Sequence, residues 1–232
     1  MHNSNWSNCQ VFCYYLNMNH FKAIIFDLDG TIVDENSWTF MSKGLGISVS
    51  EHLKIYHAHR DGEISGERAS KQLLKLWTSS PNANKTFLTN LFQTIPLRPD
   101  ASEIIDYLKA KKYLICFITG SMDLFAKAIA QRLNIPSYYA NASLHFDSAG
   151  KLNGYDYDIT QADKKLIQLN DFCRNYQINM NECVPVGDSD NDKKIFLATG
   201  NGITIKTKYE DKELENLSWK VISNLTELKQ YL

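Results

Sequence analysis

Neither sign of charge is in excess in this chain. Lysine and arginine number 25 against 26 aspartates and glutamates, a formal net charge of -1 over 232 residues. Such a balance leaves no global basic footprint for nucleic acid. Long apolar runs are also missing: none approaches the roughly 18 residues that cross a bilayer. The five cysteines (Cys9, Cys13, Cys116, Cys173 and Cys183) are scattered and odd in number. No Cys-x-x-Cys and no Cys/His cluster at zinc spacing occurs. Cys116 sits inside an apolar run and reads as a small core residue. We read the compartment as reducing, hence cytoplasmic. There is no internal repeat and no low-complexity stretch. Neither Gly-x-Gly-x-x-Gly nor a Walker-type Gly-Lys-Ser/Thr is present, which excludes an N-terminal nucleotide cradle. Residues 1–17 lack the basic start and long apolar centre of a signal peptide. They read as an extension outside the fold, with Met18 as an alternative start.

What is present is an ordinary globular composition, 44% apolar and 22% charged, long enough for a core domain carrying a smaller insert. Lys22-Ala23-Ile24-Ile25 is a short apolar run of the buried parallel-strand kind. It ends in Phe26-Asp27-Leu28-Asp29-Gly30-Thr31. From about Ser37 to Ile95 the pattern turns helical, with no strand alternation. Ser48 or Ser50 caps a helix through Glu51–Arg60, and Ser65 starts another by a capping-box-like spacing. Pro96 and Pro99 punctuate the return. Tyr113–Ile118 is the second buried strand, ending at Thr119-Gly120-Ser121, followed by a helix from Leu124 to Leu133. Tyr138-Tyr139-Ala140 is a weaker strand. Leu144-His145-Phe146 and Leu152–Tyr155 flank Asp147-Ser148-Ala149-Gly150 as a hairpin. Asp163–Tyr176 is helical. Cys183–Val186 is the third apolar strand, ending at Gly187-Asp188, where Pro185 predicts imperfect pairing. Strands alternating with helices give an α/β fold with a parallel sheet covered on both faces.

The ends of parallel strands share one edge, and that edge is where ligands bind in open α/β sheets. Here the edge collects Asp27, Asp29 and Thr31, then Thr119, Gly120 and Ser121, then Asp188-Ser189-Asp190-Asn191-Asp192. Lys164-Lys165 opens the helix before the third strand, where the helix dipole disfavours a cation unless an anion is nearby. Each piece alone has a plain reading. Asp-Gly is turn chemistry, Thr119 suits a helix N-cap, the Asp188–Asp192 run is an acidic loop without the glutamate of a calcium loop, and the lysines suit a solvated surface. Joint placement on one edge overturns those readings. Hard carboxylate oxygens suit Mg²⁺, which binds through one or two carboxylates plus substrate phosphate. Thr119 and the N–H groups of Gly120 and Ser121 suit phosphate oxygens at a helix entrance. Lysine neutralises a phosphoryl group in transfer, and an aspartate can attack phosphorus.

These four stretches, in this order, resemble the haloacid dehalogenase-like hydrolases, in the phosphoserine-phosphatase-like branch. The resemblance spans about Met18 to the C-terminus. It implies a Rossmann-like three-layer α/β core with a central parallel sheet (18–34 and 96–232), an inserted all-helical cap (35–95) and a β-hairpin flap. It implies a Mg²⁺-dependent phosphatase acting on a small soluble phosphomonoester, with neither nucleic acid nor membrane as partner. Asp27 is then the nucleophile, and Asp29 the acid that protonates the leaving oxygen and later activates water. Mg²⁺ is held by Asp27, the backbone carbonyl of Asp29, and Asp188, with Asp192 orienting its waters. Thr119, Gly120, Ser121 and a lysine hold the phosphoryl oxygens. Lys165 is favoured because it starts a Lys-x-x-x-Leu spacing onto Leu169, with Lys164 as the fallback. Phosphotransfer to another acceptor, or a non-catalytic phosphate-binding protein, are the competing readings.

The same resemblance argues against phosphoserine as substrate. Phosphoserine phosphatases carry a glutamate nine residues beyond the nucleophile that grips the substrate amine, and Asn36 stands there. Their arginine-bearing cap helix is matched by Ala69-Ser70-Lys71-Gln72-Leu73, with Arg60 and Arg68 out of register. His57, His59 and Arg60 read as a solvated helix face, and Trp38 and Trp77 as cap packing.

Overall fold

The computed structural model describes residues 21–157 and 159–232. The expectations for residues 1–17 and for Met18 as a start lie outside the described residues. Among the described residues, seven strands form one sheet in the order β4-β3-β2-β1-β5-β6-β7. They are β1 (Ala23–Phe26), β2 (Leu114–Met122), β3 (Ser137–Phe146), β4 (Leu152–Tyr157), β5 (Cys183–Gly187), β6 (Ile203–Ile205) and β7 (Lys220–Ile222). All neighbours pair in parallel except β3 and β4, which are antiparallel.

The apolar runs are continuous because the sheet is covered on both faces. Side chains alternate across a strand, so Ile24 and Phe26 enter one apolar cluster while Ala23 and Ile25 enter another. The first cluster packs α5 (Ala101–Ala110) and α6 (Asp123–Arg132) against Ile115, Phe117, Val184 and Val186. The second packs α7 (Gln161–Tyr176), α8 (Lys193–Thr199) and α9 (Lys212–Leu217) through Leu169, Phe172, Phe196 and Leu214. This is the three-layer α/β arrangement. Pro185 sits in a strand paired on both sides. The carbonyl of Val186 accepts from the Asp27 N–H of β1, so the missing donor of Pro185 points toward β6. The β5–β6 ladder begins only at Val186, and no ladder bond is lost.

Between β1 and α5 the chain forms four helices: α1 (Ser37–Gly44), α2 (Val49–Arg60), α3 (Gly66–Thr78) and α4 (Lys85–Phe92). Their starts follow capping chemistry. Asn36, Ser65 and Asn84 accept from Thr39, Arg68 and Phe87 N–H, whereas Ser48 precedes α2 without a side-chain cap. The two linkers of this insert are stitched together. Val33 bridges Leu97, and Arg98 donates to the Gly30 carbonyl at 2.7 Å and pairs with Asp34 at 3.1 Å. Inside the insert, Trp77 is fully buried and stacks on Trp38 at 6.0 Å, so the packing reading of both tryptophans agrees with their surroundings.

Three local expectations need correction. Tyr138–Ala140 and Leu144–Phe146 belong to one ten-residue strand, β3, rather than two. The small and polar Asn141-Ala142-Ser143 interrupts the hydrophobic pattern but not the backbone pairing. That long strand turns at Asp147–Gly150 into β4 as the hairpin predicts, and the hairpin is tied to the insert: Lys85 N–H donates to Gly150 O, and Leu152 N–H to Ala83 O. Second, β2 runs on through Met122, with a register shift between Thr119 and Met122. Thr119-Gly120-Ser121 therefore lies in a strand irregularity, and the helix behind it starts only at Asp123. Third, α7 begins at Gln161, so Lys165 lies a turn inside the helix and the dipole argument for it does not apply.

Candidate active site

The sheet order reverses beside β1: β2 and β3 lie to one side, β5 to β7 to the other. That reversal leaves a crevice at the carboxyl ends of β1 and β5. Asp27 leaves β1 there and is 4% exposed. Its Oδ1 accepts the Leu28 N–H at 2.7 Å, and its Oδ2 lies 3.1 Å from Lys165 Nζ. Lys165, fully buried, also donates to Asp192 Oδ1 at 2.7 Å and to Asn191 Oδ1 at 2.6 Å. One ammonium thus spends its donors on the nucleophile candidate and on the loop after β5. Burial alone would lower the pKa of this lysine, but Asp192 and Asp27 outweigh it and raise it. Lys165 remains charged, and it is the member of the lysine pair that reaches the edge; Lys164 is half-buried one position away.

Asp192 is held by its own turn. Ser189 and Asp192 form a reciprocal capping box, and Asp192 Oδ2 accepts from the Asp188 N–H at 3.2 Å. Asp188 faces Gly30 so closely that a Cβ at Gly30 would sit 2.2 Å from Asp188 Oδ2. With φ of 77° at the same residue, only glycine fits there. Gly120 is constrained by proximity as well: a Cβ there would lie 2.7 Å from Gln161 Oε1.

Asp29 is held differently. Its Oδ1 accepts the Ser37 N–H at 2.9 Å and its Oδ2 accepts the Ser37 hydroxyl at 2.6 Å. Burial pushes its carboxyl up to about 7, the Ser37 hydroxyl opposes that, and Asp27 adds to it. Ser37 Oγ also meets Ser121 Oγ in a short hydrogen bond. The Ser121 N–H is taken by Thr119 Oγ1 at 3.2 Å. In this arrangement Thr119 and Ser121 are both buried, and Ser121 faces the acid rather than a helix entrance.

Oxygens of Asp27, Asp188 and Asp192 lie within 4.8 Å of one another, a set able to hold a metal ion. The structure itself argues that the set suits a hard cation. Asp188 Oδ1 is buried without a hydrogen-bond partner, which is costly for a carboxylate oxygen. Its carboxyl is pushed up to about 8 by burial first, then by Asp27 and Asp192, and that of Asp192 up to about 6 by burial. A divalent cation with oxygen ligands relieves all three causes at once.

A family model described as haloacid dehalogenase-like hydrolase matches residues 21–198. The chain belongs to this family. Among curated relatives of this hydrolase, a phosphoserine phosphatase of Lactococcus lactis is 26% identical over 188 residues, 80% of this chain and 83% of the relative. A phosphoserine phosphatase of Methanocaldococcus jannaschii is 25% identical over 188 residues, covering 81% and 86%. Among solved structures, a phospho-aspartyl intermediate analogue of phosphoserine phosphatase has the same fold, with TM-score 0.71 and 23% identity over 91% of this chain and 99% of that one. A haloacid dehalogenase family hydrolase of Salmonella enterica serovar Typhi aligns at TM-score 0.76 and 20% identity, covering 91% and 72%.

In this hydrolase the structure brings together Asp27, Lys165, Asp188 and Asp192 directly, and Asp29 with Ser121 through a residue that sequence reasoning did not single out. Ser37 read as the start of the helical insert, since a serine after an asparagine has nothing to mark it as an acid's partner. Asn36, which occupies the position of interest for the substrate amine, spends its Oδ1 on the Thr39 N–H as the cap of α1.

Proposed function

We propose that this hydrolase is a Mg²⁺-dependent phosphatase of small phosphorylated metabolites, working through an aspartyl-phosphate on Asp27. The observation that carries the reading is the buried lysine, Lys165, clasping Asp27 and Asp192 beside the orphaned Asp188 carboxylate. An arrangement that buries two acids and one lysine beside a half-buried third acid is costly unless it serves chemistry or a charged ligand. Residues 18–34 and 96–232 act as the catalytic core, and 35–95 as the cap over it.

In the first half-reaction a carboxylate oxygen of Asp27 attacks phosphorus, and the bond from phosphorus to the ester oxygen breaks. Asp29 delivers its proton to the departing alkoxide. A carboxyl raised to about 7 is protonated in a large share of molecules at neutral pH and can give that proton up. In the second half-reaction Asp29, now ionised, takes a proton from water as that water attacks the aspartyl-phosphate. Phosphate leaves, and both aspartates return to their starting states. Lys165 holds Asp27 in place and neutralises charge on the phosphoryl group, with Thr119, Gly120 and Ser121 as further phosphate contacts. Asp27, Asp188 and the Asp29 carbonyl would hold Mg²⁺ beside Asp192, and the ion would supply positive charge to the phosphoryl oxygens.

The relatives' names point to phosphoserine, but we place this chain's substrate elsewhere. Asn36 replaces the expected glutamate and is occupied as a helix cap. On α3, Lys71 pairs with Glu67 in the open, Ala69 is buried, and Arg60 pairs with Asp61 at the surface. No arginine takes up the substrate-carboxylate position of Ala69–Leu73. The test is phosphate release from a panel of phosphorylated metabolites and an aryl phosphate, with Mg²⁺ and with EDTA, beside Asp27→Asn. Release that needs the metal and vanishes in Asp27→Asn is expected. Release that survives either change contradicts the mechanism, and silence on every compound favours a binding protein.

A further inference from the structure

We propose that Ser37 is a positioning residue for the proton-carrying carboxylate, and that Ser121 holds Ser37 to that task. The inference rests on the hydrolase reading above and deepens it. Ser37 is fully buried and spends both of its donors on one side chain. Its N–H goes to Asp29 Oδ1 at 2.9 Å and its hydroxyl to Asp29 Oδ2 at 2.6 Å. Two bonds to the two oxygens of one carboxylate fix its plane as well as its location. A serine hydroxyl has a single proton. While Asp29 is ionised that proton lies on Asp29, and the short contact between Ser37 and Ser121 is then made by the Ser121 hydroxyl donating to Ser37 Oγ. The chain of donors therefore runs Ser121 to Ser37 to Asp29. It links the irregular end of β2, where Thr119 and Ser121 sit, to the carboxylate after β1.

The local fold explains why Ser37 can do this. Asn36 caps α1 by accepting from Thr39. The first N–H groups of a helix have no intrahelical partner, so the Ser37 N–H is free to reach out of the helix, and its partner is Asp29. An anion is favoured there by the helix dipole as well. The insert thus begins with a residue that reaches back to the core edge, and what it grips is the proton carrier and not the nucleophile. A plain structural role for Ser37, docking α1 on the sheet, needs one hydrogen bond to any core acceptor. It does not account for both donors converging on the carboxylate that moves the proton, or for the third link to Ser121.

The chemistry gives a readout that docking alone does not move. A proton carrier matters most when the leaving oxygen is basic, and little when it is a good leaving group. Phenyl phosphate and 4-nitrophenyl phosphate share a shape and differ in leaving-group acidity. kcat/KM reports the step in which the ester bond breaks. We expect Ser37→Ala to lower kcat/KM on phenyl phosphate by about 10–100-fold, as misplacing a catalytic group does. On 4-nitrophenyl phosphate the loss should stay within about threefold, because that step needs little proton delivery. Ser37→Thr, which keeps both donors, should restore the phenyl phosphate rate, and Ser121→Ala should widen the same gap between the two esters in weaker form, on top of any loss common to both from its place beside the phosphoryl group. Thermal melts of each variant separate folding from chemistry. Equal losses on the two esters, or none, overturn the inference while leaving the hydrolase reading standing. Failure of the wild-type chain to release phosphate from either ester overturns the hydrolase reading, and the inference with it.

Discussion

The core edge and the helical insert both bury polar groups, and they do so in opposite ways. At the core edge the buried groups are ionisable: Lys165 and Asp192 are fully enclosed and Asp27 nearly so. In the insert they are neutral. Trp77 Nε1 donates to Ser42 Oγ at 2.8 Å, and Ser42 Oγ meets His52 Nδ1 at 2.7 Å. Burial drives the His52 pKa down to about 4, so its ring stays uncharged at neutral pH. A neutral network that satisfies its own donors stabilises a small helical insert and asks nothing of a ligand. A charged cluster with an orphaned carboxylate oxygen is an unfavourable arrangement for stability alone. The difference separates a part of the molecule built to hold itself together from a part built to hold something else.

The sharpest way to break this comparison is to remove the charge that balances the core edge. Lys165→Met should destabilise the protein by about 3–5 kcal/mol, as loss of one partner from a buried ion pair does, seen as a drop in Tm of about 10 °C. The loss should grow with pH. Without the ammonium the buried carboxyls bind protons more tightly in the folded chain than in the unfolded one. The folded state therefore loses ground as pH rises through their raised pKa values. Melts at pH 5 and pH 8 check this; a penalty equal at both, or below about 1 kcal/mol, would place the cluster among ordinary surface pairs.

A smaller effect sharpens the other side. The His52 pKa is about 4 in the fold against an ordinary 6.5. The unfolded chain therefore takes a proton in that window while the folded chain does not. Stability contributed by this group is complete above about pH 6.5 and is lost as pH falls toward 4. His52→Asn offers Ser42 a polar partner that does not titrate. Its Tm should fall less steeply between pH 7 and pH 5 than that of the wild type. Parallel slopes would remove His52 from the account of the insert.

The same contrast explains what could be read from the sequence. The charged edge was legible because its members come in contiguous stretches at strand ends. Asp27, Asp29, Asp188 and Asp192 follow apolar runs, and parallel strands bring such ends together whatever the connections between them. The lysine was legible to within one residue, and the register of α7 against Leu169 separates Lys165 from Lys164, since Leu169 faces the core one turn on. The parts that depend on contacts distant in sequence were not legible. Ser121 is a candidate through its Thr119-Gly120-Ser121 stretch, but its partner Ser37 stands 84 positions away and is not unusual in its own neighbourhood. The strand β3 was divided by Asn141-Ala142-Ser143, whose pairing is fixed by β2 and β4 and not by its own hydrophobic pattern. Asn36 lacks the side chain that would grip a substrate amine, while its capping role is an exposed local bond of the kind capping rules anticipate.

On the mechanism proposed above, Asp27 is the nucleophile that takes the phosphoryl group in a covalent step, with the other groups arranged around it. Its most direct test is mass spectrometry of the acid-quenched protein after mixing with a substrate it turns over in Mg²⁺. The account predicts a phosphoryl mass increment on the peptide carrying Asp27, absent from Asp27→Asn and from samples with EDTA. Turnover with the increment on another residue, or with no increment at any quench time, would contradict it.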